Sequence, residues 1–120
     1  MSKKLVVAAA VAVSCLAIHA EAHAQTRWMQ TCPSPGNIRS VDSKTKAIVN
    51  FSNNTGRSIN IVWLDYEGKR KTYKTLNRGE VYEQQTFVGH PWLIVDTNGG
   101  CLGLYWPRSG EQIAEIYDNR

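Results

Sequence analysis

Histidine and cysteine are scarce in this chain, three of each among 120 residues, and half of them crowd one end: His19, His23 and Cys15 fall within the first 24 positions. What remains is His90, Cys32 and Cys101. One histidine and two cysteines cannot furnish the three or four nitrogen and sulfur ligands of a zinc site, so no metal and no cofactor are expected. No Ser/His/Asp or Cys/His spacing supports a nucleophilic centre either, which leaves no catalytic residue and a non-enzymatic reading. Asp65, Glu67 and Glu83 are conceivable as paired carboxylates, but turn and surface positions make them a solvated face. Gly99-Gly100 reads as a turn rather than a phosphate loop. Helical periodicity never outlasts a turn or two, and no apolar run after the N-terminus is long enough to span a membrane.

The one long apolar run lies at the start. Lys3-Lys4 is a short basic region, Leu5 to Ile18 is an apolar stretch of 14 residues, and Ala22-His23-Ala24 has the small-x-small pattern of a cleavage site. Residues 1–24 therefore read as a signal peptide, and the protein as secreted or periplasmic. A transmembrane anchor would need ~20 apolar residues, and Glu21 and His23 interrupt too early. Cys15 suggests a lipoprotein signal, but Ala12-Val13-Ser14 lacks the large aliphatic residue such a box requires.

The remaining 96 residues suit one domain. Loss of Lys3, Lys4 and Glu21 lowers the formal charge of +4 only to +3. Lys69-Arg70-Lys71 and Lys74 cluster, yet lysine along a sheet edge is the ordinary guard against edge-to-edge pairing, so no nucleic-acid partner is expected. Export would place Cys32 and Cys101 where disulfides persist. Paired, they close a loop of 69 residues, for which chain entropy predicts roughly 4 kcal/mol. Two free thiols or an intermolecular bridge remain the alternatives.

Residues 25–43 carry Pro33, Ser34, Pro35, Gly36 and Asn37 and read as an unstructured, turn-rich lead-in. From residue 44 to 120, short apolar runs alternate with glycine-containing turns. Strands are expected at Ala47 to Asn53, Ser58 to Tyr66, Lys69 to Leu76, Val81 to Phe87, Trp92 to Thr97, Cys101 to Trp106 and Gln112 to Tyr117. The pattern implies an all-β, seven-stranded β-sandwich. In the second strand Ile59, Ile61 and Trp63 share one face and Val62, Leu64 and Tyr66 the other, so both sides are apolar and the strand is central. In the fourth, Tyr82, Gln84 and Thr86 point one way. His90 and Trp92 share parity, and Pro91 between them favours extended backbone and a strand start.

Trp63-Leu64, Gly68, Tyr73, Thr75-Leu76, Gly79, Gly89-His90, Trp92-Leu93 and Asp96 stand at a spacing that resembles the von Hippel-Lindau β-domain without a gap. The resemblance runs from about Lys46 to Tyr117 and is weakest after Asp96. It implies a peptide-binding module whose ligand pocket consists of Trp63, Tyr73, Thr86, His90 and Trp92, the positions that hold hydroxyproline in the family. Chemistry agrees with the assignment. Indole and phenol faces pack a pyrrolidine ring, the Tyr73 hydroxyl can bond a peptide carbonyl, and Thr86 Oγ with a His90 nitrogen can hold a ligand hydroxyl.

Threonine stands where the family usually has serine, which keeps the hydroxyl and adds a methyl. Gln85 replaces a peptide-contacting histidine and is a further candidate peptide contact; Pro91 replaces an aliphatic residue. Because the sequence stops at Arg120, the helical α-domain that binds elongin is not expected, and together with export this speaks against any ubiquitin-ligase assembly; after signal cleavage no stable membrane insertion is expected either. The implied partner is a proline- or hydroxyproline-containing peptide. The competing reading is a structural or accessory envelope protein whose aromatic cluster is core. Trp28 and Trp106 lie outside the constellation, so their roles should differ from those of Trp63 and Trp92.

Overall fold

Alternating burial defines the first strand, β1 (Lys46–Asn53), whose Ala47, Val49, Phe51 and Asn53 are buried while the residues between them face outward. The computed structural model describes residues 29–32 and 37–118; the expected signal segment, Trp28 and residues 33–36 of the lead-in lie outside the described residues. Six more strands follow: β2 (Ile59–Leu64), β3 (Arg70–Leu76), β4 (Val81–Phe87), β5 (Trp92–Asp96), β6 (Cys101–Tyr105) and β7 (Gly110–Ile116). They form a three-stranded sheet in the order β4-β1-β7 and a four-stranded sheet in the order β3-β2-β5-β6, the expected all-β sandwich of seven strands.

The sheets meet over a core of Val49, Phe51, Ala114 and Ile116 from one side and Ile59, Ile61, Leu76, Trp92, Ile94 and Tyr105 from the other. Phe51 lies at its centre, with its ring centroid 5.9 Å from that of Trp92 and 6.0 Å from that of Tyr105. Strand β2 is central and apolar on both faces, as its sequence requires. Its second face joins a separate cluster of Val62, Leu64, Leu93, Val95 and Leu104 on the outside of the larger sheet. Strand β3 is the edge of that sheet, and its exposed Arg70, Lys71 and Lys74 guard the edge.

Turn chemistry bolts the strands together. Asn53 is fully buried, yet every polar atom of its side chain is used: Nδ2 donates to the carbonyls of Arg57 (2.9 Å) and Leu76 (3.0 Å), and Oδ1 accepts from the backbone N–H and hydroxyl of Thr55. The sequon-like Asn53-Asn54-Thr55 is thus a turn whose asparagine faces inward. At the other end, Gln112 donates to the carbonyls of Ile48, Arg108 and Gly110 and accepts from Tyr105 Oη and Arg108 N, which fixes the approach to β7. Satisfied in this way, a buried amide adds order without the cost of an orphan group.

The described part of the lead-in is not unstructured, contrary to its turn-rich composition. Gln30 pairs with Leu104 through two backbone hydrogen bonds of 2.9 and 3.0 Å, which extends β6 by a short bridge. Met29 then lies over Gly103, where any Cβ would collide with its thioether. Further along, Ile38 packs on the outer cluster, Ser40 Oγ donates to the Leu64 carbonyl at 2.6 Å, and Val41 N donates to the Gly89 carbonyl. The reason is the apolar second face of β2 and β5. With no third sheet to bury it, that face takes Ile38 from the N-terminal segment, whereas Met29 packs on the inner core. The Cys32–Cys101 disulfide, with a Cα separation of 6.0 Å, ties that segment to the start of β6 and resolves the cysteine alternatives in favour of an intrachain pair.

Candidate functional site

Strand register brings the two central indoles together. Trp63 on β2 faces Trp92 on β5 as a direct cross-strand partner. On the other side of β2, the register with β3 slips: Ile61 pairs with Lys74 and Val62 with Thr72, so Tyr73 is the extra residue of a β-bulge. Bulges re-aim side chains. Here the consequence is that Tyr73 meets both indoles edge-on, with centroids 5.0 Å from Trp92 and 6.2 Å from Trp63, while 43% of its surface stays exposed.

The opposite sheet supplies Thr86. It pairs with Ala47, so its side chain is on the inner face of β4, only 6% exposed. The Trp92 Nε1–H donates to Thr86 Oγ1 at 3.1 Å, a hydrogen bond that spans the two sheets. Trp92 is itself only 2% exposed and belongs to the core. It is the floor of the cluster, whereas Tyr73 and the half-buried Trp63 form its accessible part.

His90 arrives from the β4–β5 turn. Gly89, with φ +89°, makes that turn, and a Cβ there would strike the Val41 Cγ2 at 2.8 Å. The imidazole is 6% exposed, stacks on Trp63 (centroids 5.6 Å, 30° between planes) and meets Phe87 at 5.4 Å. Burial pushes its pKa below 6.5, opposed by a hydrogen bond to the Val41 backbone and by the charge of Asp42. Tyr66 Oη lies 3.3 Å from Nε2, and in the tautomer protonated at Nδ1 that nitrogen accepts from the phenol.

Of the residues singled out from sequence, Trp63, Tyr73, Thr86, His90 and Trp92 are therefore linked by ring contacts or hydrogen bonds at one edge of the sandwich. Gln85 is not brought into that cluster. It pairs with Ile48, is exposed, and has the parity of Glu83, opposite to that of Thr86. Trp106 packs on the outer cluster instead. Trp63 Nε1 is buried and has no hydrogen-bond partner among the described residues.

A family model, the VHL beta domain, matches residues 38–101, more than half of the chain. The chain belongs to the VHL beta-domain family. The match takes in all five site positions and begins at Ile38, so it includes the segment that covers the outer face. Family membership makes the chain a recognition module, and the geometry offers rings and hydrogen-bonding groups of the kind that hold a ligand rather than transform one. Among the described residues no group of three or more His, Cys, Asp or Glu side chains could hold a metal ion.

Sequence parity misplaced one residue of this cluster. Tyr66 was expected beside Val62 and Leu64 on the opposite face of β2. Pairing stops at Leu64, however, and Asp65 Oδ1 caps the next turn by accepting from Glu67 N (2.9 Å) and Lys69 N (2.8 Å). The hydrogen bond from Lys69 leads the effects that hold the Asp65 carboxyl below its usual pKa. Beyond the last ladder bond alternation no longer applies, and Tyr66 swings back to meet Trp63 at 5.5 Å and His90 at 5.4 Å, both edge to face. Tyr82 was also overlooked although its parity with Thr86 was legible; its hydroxyl donates to Gln84 Oε1 at 2.6 Å, and the Lys74 ammonium lies 5.9 Å above its ring.

His90 gives the fold a pH dependence whose sign follows from its depressed pKa. The unfolded chain binds the proton more readily than the folded one, so stability rises with pH in the window between the two values. The full contribution should be present above 6.5 and be lost as pH falls through the folded-state value. Thermal unfolding followed from about pH 7.5 to about pH 5 should show a falling midpoint that flattens in His90→Asn. An equal slope in the variant would assign the effect to carboxylates instead.

Proposed function

We propose that this chain is a secreted or periplasmic, non-catalytic module that binds an extended peptide and holds one of its proline or 4-hydroxyproline rings against Trp63, Tyr73 and Trp92. The observation that carries the reading is the bulge at Tyr73, which lays an exposed phenol over two indoles next to a hydroxyl and an imidazole. Strand β4 is the edge of its sheet and runs beside the cluster, a suitable neighbour for an extended ligand. The buried Trp63 N–H is a donor that a ligand carbonyl can satisfy.

Hydrogen-bond directions favour a hydroxylated ring. Thr86 Oγ already accepts from Trp92, which leaves its own hydroxyl hydrogen to donate. His90 Nε2 is the acceptor. A ligand hydroxyl can take one bond and give the other, whereas an unmodified proline leaves the Thr86 hydroxyl desolvated and unpaired, at about 1–3 kcal/mol, while His90 keeps its Tyr66 partner. That term amounts to roughly 5- to 150-fold preference for the hydroxylated peptide.

Calorimetric titration of matched hydroxyproline and proline peptides tests this. Thr86→Val should erase most of the preference. Since that change also strips the buried Trp92 N–H of its acceptor, the unfolding midpoint must be followed alongside, and Thr86→Ser, which keeps the hydroxyl, should retain both preference and fold. Equal affinities in the wild type would favour the second reading, an accessory envelope protein with an aromatic core, to which the burial of Trp92 gives some weight. Export is tested separately: protein recovered from outside the cytoplasm should begin at Gln25.

A further inference from the structure

The Tyr66 ring is 49% exposed, yet its hydroxyl lies 3.3 Å from Nε2 of a buried imidazole, to which it donates when the ring is protonated at Nδ1. Its position is fixed on three sides. The Asp65-capped turn holds its backbone, and its ring stands perpendicular to Trp63 (88°) and to His90 (90°). The phenol therefore presents to Nε2 the same chemistry that a hydroxylated ligand would present: an O–H donor approaching from the accessible side of the cluster.

We propose that Tyr66 sets the selectivity of the pocket by competing with the ligand hydroxyl for His90 Nε2. The inference rests on the hydroxyproline reading above. In the free protein the Tyr66 hydroxyl satisfies the imidazole; a hydroxylated ring gains that hydrogen bond only by releasing the phenol to water. The exposed phenol loses little on release, since water accepts and donates in its place. The exchange thus subtracts one hydrogen bond's net worth from the binding of a hydroxylated ligand and nothing from that of proline, which cannot make the bond.

Tyr66→Phe keeps the ring contacts and removes only the competitor. In the ligand-free variant, the ¹⁵N resonance of His90 Nε2 should move as that nitrogen loses its donor. N-acetyl-4-hydroxyproline methylamide should then bind about 3- to 10-fold more tightly than to the wild type, the worth of one net hydrogen bond, while the proline counterpart binds as before. An unmoved Nε2 resonance would show that the contact does not exist in solution and would overturn the proposal. Weaker binding of the hydroxylated probe by the variant would overturn it differently, by making Tyr66 a ligand contact. If neither probe binds either protein, the hydroxyproline reading itself fails and takes the competition with it, leaving the shifted resonance as the mark of a structural tyrosine.

Discussion

Removing the Cys32–Cys101 disulfide should lower the unfolding midpoint by roughly 15–30 °C. The bond closes a 69-residue loop, and freeing that loop in the unfolded chain costs roughly 4 kcal/mol in the chain-entropy account. In a domain of this size each 1 kcal/mol moves the midpoint by about 4–8 °C. The folded state loses something as well. The disulfide holds the segment that bridges Gln30 to Leu104 and reaches the outer cluster around Val62, Leu93 and Val95. Thermal unfolding of the Cys32→Ser/Cys101→Ser variant measures the first effect, and amide exchange at Gln30 and Leu104 the second. Mass spectrometry of non-reduced protein should recover the two cysteines in one linked peptide. Free thiols together with an unchanged midpoint would sink the prediction.

Trp92→Phe should cost the fold roughly 2–3 kcal/mol, or about 10–20 °C in midpoint, and weaken ligand binding at the same time. The indole is 2% exposed, touches Phe51 in the centre of the core, and bonds the opposite sheet through Thr86. Phenylalanine leaves a void where the larger ring system was and deletes the inter-sheet hydrogen bond. Tyr73, which rests edge-on against that indole, loses its support. Trp63→Phe provides the contrast, because Trp63 is half-buried and its N–H has no partner to lose among the described residues. Its midpoint should fall by less than half as much as that of Trp92→Phe. Equal losses from both substitutions would mean that the two indoles are the same kind of residue.

Trp92 thus shows where a division of tryptophans into core and site breaks down. Sequence spacing assigned it to a ligand-binding set, and packing places it in the core while keeping it in contact with that set through Tyr73 and Thr86. Both descriptions hold because β5 is a central strand whose inner face is floor to the cluster and wall to the core.

By itself the sequence determined the strand count, the central place of β2, the lysine-guarded edge at β3 and the shared face of Tyr82, Gln84 and Thr86. All four follow from period-two alternation and turn residues, which are local properties of the chain. It also carried the spacing of the five site residues, because register along continuous strands converts sequence intervals into fixed positions. Three features were decided only by tertiary structure. The slip that makes Tyr73 a bulge depends on pairing between β2 and β3, which no single strand encodes. The return of Tyr66 toward His90 depends on where the ladder stops and the Asp65 turn begins. The ordering of the lead-in depends on its neighbours: Met29 packs on the inner core, Gln30 bridges the free edge of β6, and Ile38 lies on the outer apolar face, so a segment with the composition of a loose lead-in acquires hydrogen bonds and a disulfide from the rest of the fold rather than from its own sequence.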